Sequence, residues 1–358
     1  MEQLSLFEKQ TSTDWKWTME KDYPPKNGLK VFSCFACGGG STMGYKLTGC
    51  EVLGCVEIDK KMNEVYQINH NPKYNYCEDI REFNKREDLP NELYNLDILD
   101  GSPPCTTFSM AGEREDSWDK KKKFKEGQAE QTLDDLSFVF IETVAKLRPK
   151  VVIMENVEGL LLGEAWTYVQ KIYKQFKAIG YKLKHWLLKG ENMGVPQSRH
   201  RVFFIATRLD FDLEKLDMSF NYEPIVYGKI KSGIGEEMNK KTRIYKLLSL
   251  CKENDKYLCD VVKRIEGKES LFNYVILQEQ YMFPTLSAGS AVTPMRGKEK
   301  NFCTCEDMIH AQTFPEDYDF INYNRLIVQY ICGMSVPPIM IKRIVTRLIE
   351  SGIFNVRQ

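Results

Sequence analysis

The sequence predicts a doubly wound, mostly parallel α/β sheet with a smaller domain inserted late in the chain. Three observations carry this expectation. Short β-rich apolar runs occur at residues 30–35, 51–56, 96–99, 151–154 and 201–206. Apolar residues at helical spacing lie between them, and strands and helices taking turns imply parallel strands with crossover helices. The rhythm fades across residues 210–300, a stretch of mixed charge and short apolar groups, and then returns.

In chain order, residues 1–28 are polar and carry Pro24-Pro25 just before the first run, which predicts a mobile tail. Helices are expected over 42–47, 61–68 and 133–147, the last stopped by Arg148-Pro149. A final helix is expected over 338–349, with Ile341, Ile344, Val345 and Leu348 on one face. No internal repeat or extended low-complexity segment interrupts this order.

Bulk properties narrow the class. Hydrophobic residues at 42% and charged residues at 28% describe an ordinary globular protein rather than a fibrous or disordered one. Lys plus Arg equals Asp plus Glu at 50 each, so an anionic partner must be met by a local basic face. No apolar run approaches the roughly 20 residues that span a bilayer. Eleven cysteines, an odd number, suit free thiols in a reducing cytoplasm. Cys34 and Cys37, like Cys303 and Cys305, lack partners at zinc-ligand spacing, so no metal is expected.

Four segments carry chemistry. The first strand runs into Phe35-Ala36-Cys37-Gly38-Gly39-Gly40, where glycines let backbone approach a ligand, and the next strand ends at Glu57, placed to hold a ribose hydroxyl. An unliganded strand-helix turn is the plain alternative, and the G-x-G-x-x-G spacing of a dinucleotide site is absent. In Asp100-Gly101-Ser102-Pro103-Pro104-Cys105, two prolines stiffen the approach to a cysteine at the carboxyl end of a strand, which favours a nucleophile over a small buried hydrophobe. Val151 to Val157 is an apolar strand stopping at Glu155-Asn156, a carboxylate that could equally cap a helix. Gln197-Ser198-Arg199-His200-Arg201 offers two guanidinium groups at a strand entrance, or surface charge.

Taken together and in this order, these segments resemble the cytosine-C5 DNA methyltransferases. Asp79-Ile80, Gln312-Thr313-Phe314-Pro315 and Gly333-Met334-Ser335-Val336-Pro337 extend the likeness, which covers roughly residues 29–207 and 302–350. Departures from the family pattern fall at Ser33, Cys37, Thr106, Glu306-Asp307 and Met334.

The resemblance implies a class I methyltransferase-like fold and a division into a tail at 1–28, a catalytic and cofactor-binding domain at 29–207 plus 325–358, and a target-recognition domain with hinge at 208–324. It implies S-adenosyl-L-methionine held among Phe35, Gly39, Glu57, Ile58, Asp79, Ile80, Pro103 and Ser335. Cys105 would attack C6 of a flipped-out cytosine, Glu155 would hold the amine and N3, and Arg199 and Arg201 would bind O2 and order the loop. Double-stranded DNA would be met by Ser109, Lys121, Lys122, Lys123, Gln197, Thr285, Ser287 and Arg296, by a monomer. A tRNA methyltransferase of the same superfamily and a non-catalytic DNA-binding relative remain as alternatives, and a nicotinamide oxidoreductase is disfavoured by the glycine spacing.

One feature lies outside that likeness. Gln3, Leu4, Leu6 and Phe7 look like the short peptide by which bacterial proteins dock on the DNA polymerase sliding clamp. The plain alternative is a disordered terminus matching by chance.

Overall fold

A computed structural model describes residues 9–104, 136–163, 165–270, 274–288 and 294–355. The chain forms two compact units, one of residues 22–189, 200–219 and 340–358, the other of residues 1–21, 190–199 and 220–339.

The first unit is built on a seven-stranded sheet. Its strands are β1 (Lys30–Cys34), β2 (Glu51–Val56), β3 (Tyr74–Tyr76), β4 (Ile98–Gly101), β5 (Val151–Val157), β6 (Lys182–Lys189) and β7 (His200–Thr207). Their order is β3-β2-β1-β4-β5-β7-β6. Strands β1 to β5 run parallel, while β7 is antiparallel to both β5 and β6.

The apolar runs form these strands because both faces are covered. Phe32, Leu99, Val152 and Phe204 are buried in one cluster with Phe140 and Val144 of the Leu136–Leu147 helix and Ile172 and Phe176 of the Ala165–Ala178 helix. Each such side chain stabilises the fold by about 1.5–3 kcal/mol. The helix Lys60–His70 starts where Asp59 accepts from the Lys61 and Met62 amides and stops at Asn71 in the left-handed region. In the last helix, Pro338–Glu350, the expected Ile341, Ile344, Val345 and Leu348 are all buried.

The second unit has a smaller core of Met238, Leu247, Leu248, Leu258, Val261, Val262, Ile276 and Met295. A three-stranded ribbon of Ile276–Leu277, Met295–Arg296 and Asn301–Phe302 sits with it, and Phe283–Pro284 pairs with Gln197–Ser198. An ion pair of Arg296 with Asp307, 2.7 Å apart and 1% and 0% exposed, is sealed inside this unit. The Arg296 guanidinium also donates to Tyr227 Oη and to the Ser232 and Gly233 carbonyls, so every buried charge has partners.

Arg296, expected at the DNA, has its guanidinium bonded inside this unit. Residues 1–28 were expected as a mobile tail, yet Trp17 is buried, donating from Nε1 to the Thr313 carbonyl at 2.9 Å, and Gln10 bonds through its backbone with Asn221 and Glu223. In the grouping by compactness, residues 190–199 and 325–339 fall in the second unit and residues 22–28 and 208–219 in the sheet unit.

Replacing Arg296 by Met should leave the Asp307 carboxylate buried without its cation, at a cost of about 3–5 kcal/mol. Urea unfolding followed by tryptophan fluorescence would measure it; a cost under about 1 kcal/mol would show the pair is not load-carrying.

Candidate active site

The carboxyl edge of the sheet gathers the polar groups. Glu155 lies near the end of β5, and because β7 runs the other way its first residues stand beside that end, with Val157 opposite Arg201. Glu155 and Arg201 are therefore diagonal neighbours on one face. Arg201 Nε donates to Glu155 Oε1 at 2.8 Å, with both side chains only 15% and 13% exposed. Asn156, pointing to the other face, is buried and donates from Nδ2 to the Pro103 carbonyl at 3.3 Å. The Ser102 hydroxyl donates to the Phe35 carbonyl at 3.1 Å, tying the ends of β4 and β1 together. The backbone leading to Cys105 is thus anchored from two strands.

Asp100, in β4, is buried and accepts from Ser33 Oγ at 2.7 Å and from Tyr45 Oη at 2.9 Å. Burial pushes its carboxyl up to about 7, against the pull of those hydrogen bonds and with help from the charge of Glu155. Ser33 stands directly across the ladder from Asp100.

The Gly-rich turn after β1 is tightly shaped. Phe35 and Cys37 both take positive φ, at 57° and 47°, as does Gly39 at 83°. Left-handed backbone at two non-glycine residues costs energy and clusters at functional sites. Glu57 organises the turn: its Oε2 accepts from the Cys37 amide at 2.8 Å and its Oε1 from the Asp59 amide at 2.9 Å. Burial raises its carboxyl to about 6. Each oxygen keeps a further lone pair, so a ribose hydroxyl can still be bound. Partly buried Phe35 and Ile58 supply apolar surface for a flat base, and Asp79 caps the Ile80–Lys85 helix through the Arg81 amide, with Ile80 buried beneath. These residues fit a nucleoside-bearing cofactor.

The remaining expected site residues separate. Ser335 belongs to the second unit, where its carbonyl accepts from Gln312 and Arg199 and its hydroxyl donates to the Ile331 carbonyl. Arg199, expected at the base, is buried there and donates to the Leu286, Gly333 and Ser335 carbonyls. Gln197, expected at the DNA, is fully buried, donating to the Gln312 side chain and the Ala311 carbonyl and accepting from the Leu286 amide. Both hold neighbouring loops through these hydrogen bonds. Thr285 and Ser287 are exposed, with the Thr285 hydroxyl on the Ser198 carbonyl. Cys105, Ser109, Lys121, Lys122, Lys123 and the segment holding Gln3, Leu4, Leu6 and Phe7 lie outside the described residues. Sequence reasoning gave no role to Asp100, Tyr45, Asn156 or Gln312; an aspartate inside the apolar run ending β4 was the available signal for the first.

Comparison with known proteins bears on this edge. A family profile described as C-5 cytosine-specific DNA methylase matches residues 29–350. The chain belongs to this family. Among the family's relatives, the Type II methyltransferase M.Bsp6I of Bacillus sp. is 26% identical over 90% of this chain and 99% of that protein. The Type II methyltransferase M.NgoPII of Neisseria gonorrhoeae is 33% identical over 52% of this chain. The chain spans about half the length of the latter and of M.FnuDI from Fusobacterium nucleatum, at 50% and 51%. In fold it is similar to a Spodoptera frugiperda DNMT2 mutant, at a TM-score of 0.61 and 17% identity, covering 90% of this chain and 100% of that one. The class I methyltransferase-like α/β fold expected from the sequence is what the sheet displays.

The buried acid has a measurable signature. Asp100 holds its proton up to about pH 7 when folded but only to 3.8 when free, so between those values the folded state binds the extra proton. Stability should fall as pH rises through that window, by up to about 1.4 kcal/mol per pH unit. Asp100→Asn should flatten this slope in urea titrations at pH 4 to 8; an unchanged slope would show that Asp100 does not titrate there.

Proposed function

We propose that this protein transfers a methyl group from S-adenosyl-L-methionine to C5 of a flipped-out cytosine in a specific double-stranded DNA site. The observation that carries this reading is the Glu155–Arg201 pair beside the anchored Pro103 backbone, in a chain of the cytosine-specific family. The bound cofactor supplies an electrophilic methyl group on a sulfonium.

Cytosine C5 is a poor nucleophile, so the Cys105 thiolate adds to C6, and the electrons of the C5–C6 double bond become available at C5. C5 takes the methyl group while the sulfonium bond breaks. Glu155 holds the exocyclic amine and N3, offsetting charge that develops in the ring, and Arg201 orients Glu155 and serves O2. Loss of the C5 proton to water restores the double bond and expels the thiolate. These atoms are out of reach in a stacked duplex, so the base is extruded at a cost of a few kcal/mol. Lys121, Lys122 and Lys123 stand close after the nucleophile in sequence and suit backbone phosphates.

Cys105→Ala should abolish transfer while cofactor affinity, measured by calorimetry, changes less than about threefold, which is within about 0.7 kcal/mol. Duplexes carrying 5-fluorocytosine should give a covalent adduct at Cys105 by mass spectrometry, since fluorine cannot leave as a proton does. Methyl transfer by the variant, or no adduct with wild type, would overturn the mechanism. Base-resolution mapping of 5-methylcytosine in a host without cytosine methylation would give the site.

The N-terminal segment is read as a sliding-clamp peptide, with Gln3 and the Leu6-Phe7 pair entering adjacent pockets and Leu4 beside them. A peptide of residues 1–12 should bind the clamp with a Kd in the micromolar range, about −8 kcal/mol, and Leu6→Ala with Phe7→Ala should abolish this. Equal or absent binding by both peptides would end the idea.

A further inference from the structure

Ile234 is 92% exposed, whereas no other exposed large hydrophobic side chain among the described residues exceeds 56%. An isolated apolar side chain in water is unremarkable on a mobile loop. Here the backbone on both sides is pinned. The Ser232 amide donates to Asp307 Oδ1 at 2.9 Å, the Ser232 carbonyl accepts from Arg296 and from the Thr304 hydroxyl, and the Gly233 carbonyl accepts from Arg296 at 2.9 Å. Beyond Ile234, a Cβ on Gly235 would collide with the Phe302 carbonyl, and the Phe302 amide donates to the Glu236 carbonyl at 3.1 Å.

The buried Arg296–Asp307 pair therefore has an outlet. Its cation and anion hold the residues just before Ile234, while close packing at Gly235 holds the one just after. Gly233 takes φ +55°, a left-handed conformation that glycine tolerates best. Nothing in the unit's own core needs Ile234, so a folding role does not explain so rigid a presentation.

Building on the proposed function, we infer that Ile234 contacts bases of the target duplex and is an apolar determinant of sequence choice. The flanking residues Ser232, Gly233 and Gly235 are small enough to let a groove floor come close. Glu236 is paired with Arg325 at 3.0 Å, while Glu237, Lys240 and Lys241 follow in exposed positions, leaving one more cation than anion among those three. A single branched aliphatic tip is too small for a protein-docking surface, but it matches a thymine methyl group or the face of a partly unstacked base. Non-specific binding is carried by phosphate charge and should not depend on such a group.

The test uses the full-length chain and duplexes with and without the mapped site. Ile234→Ala, which removes only exposed atoms, should keep the wild-type melting temperature. It should bind the site-bearing duplex about tenfold more weakly, about 1.4 kcal/mol, with affinity for the other duplex unchanged. Repeating both titrations with deoxyuridine in place of thymidine separates the two base surfaces: the wild-type advantage vanishes for a methyl contact and persists for an unstacked base. Equal weakening on both duplexes, or none on either, overturns the inference. A wild-type chain forming no 5-methylcytosine would remove the proposed function itself, whereas methylation with unchanged site preference in Ile234→Ala removes this inference alone.

Discussion

Parallel pairing from β1 to β5 obliges each of those strands to end on the same edge of the sheet, so loops from distant parts of the chain open onto one line. Glu57 follows β2, Asp100 belongs to β4 and Glu155 to β5, and the sheet brings three carboxyl groups to that edge without any local sequence relation among them. Like charges so gathered would repel. The antiparallel turn of β7 answers this at one point by delivering Arg201 to Glu155, and burial answers it at Asp100 by keeping the proton on.

Arginine does different work at three positions, and composition alone does not separate them. Arg201 meets a carboxylate near solvent, Arg199 spends its guanidinium on three carbonyls, and Arg296 is sealed against Asp307. The planar fork of donors suits all three uses. The partners decide which one applies, and those of Arg296 lie 11 and 69 residues away along the chain, at Asp307 and Tyr227.

That distance explains what was legible. Strands β1, β2, β4, β5 and β7 announce themselves as dense apolar runs because they are central and covered on both faces. The edge strands β3 and β6 do not: Tyr74–Tyr76 is too short, and Lys182–Lys189 alternates weakly with mostly half-buried residues. Glu155, Arg201 and the Pro103-Pro104 approach were readable because each sits where a strand meets a loop. Gln197 and Arg296 looked like surface groups, since a polar side chain carries no mark of the long-range partner that lets it be buried.

The sheet unit is also discontinuous, interrupted by residues 190–199 and again by 220–339. During synthesis β5 emerges well before β7, its neighbour on one side, so that edge stays unpaired in the nascent chain until residue 207 has cleared the ribosome. Most of the helix Pro338–Glu350 groups with the sheet unit, yet it comes later still in sequence, after nearly all of the second unit. A ribosome that stalls inside the second unit therefore leaves the sheet unit without this helix, the kind of species that chaperones and proteases act on.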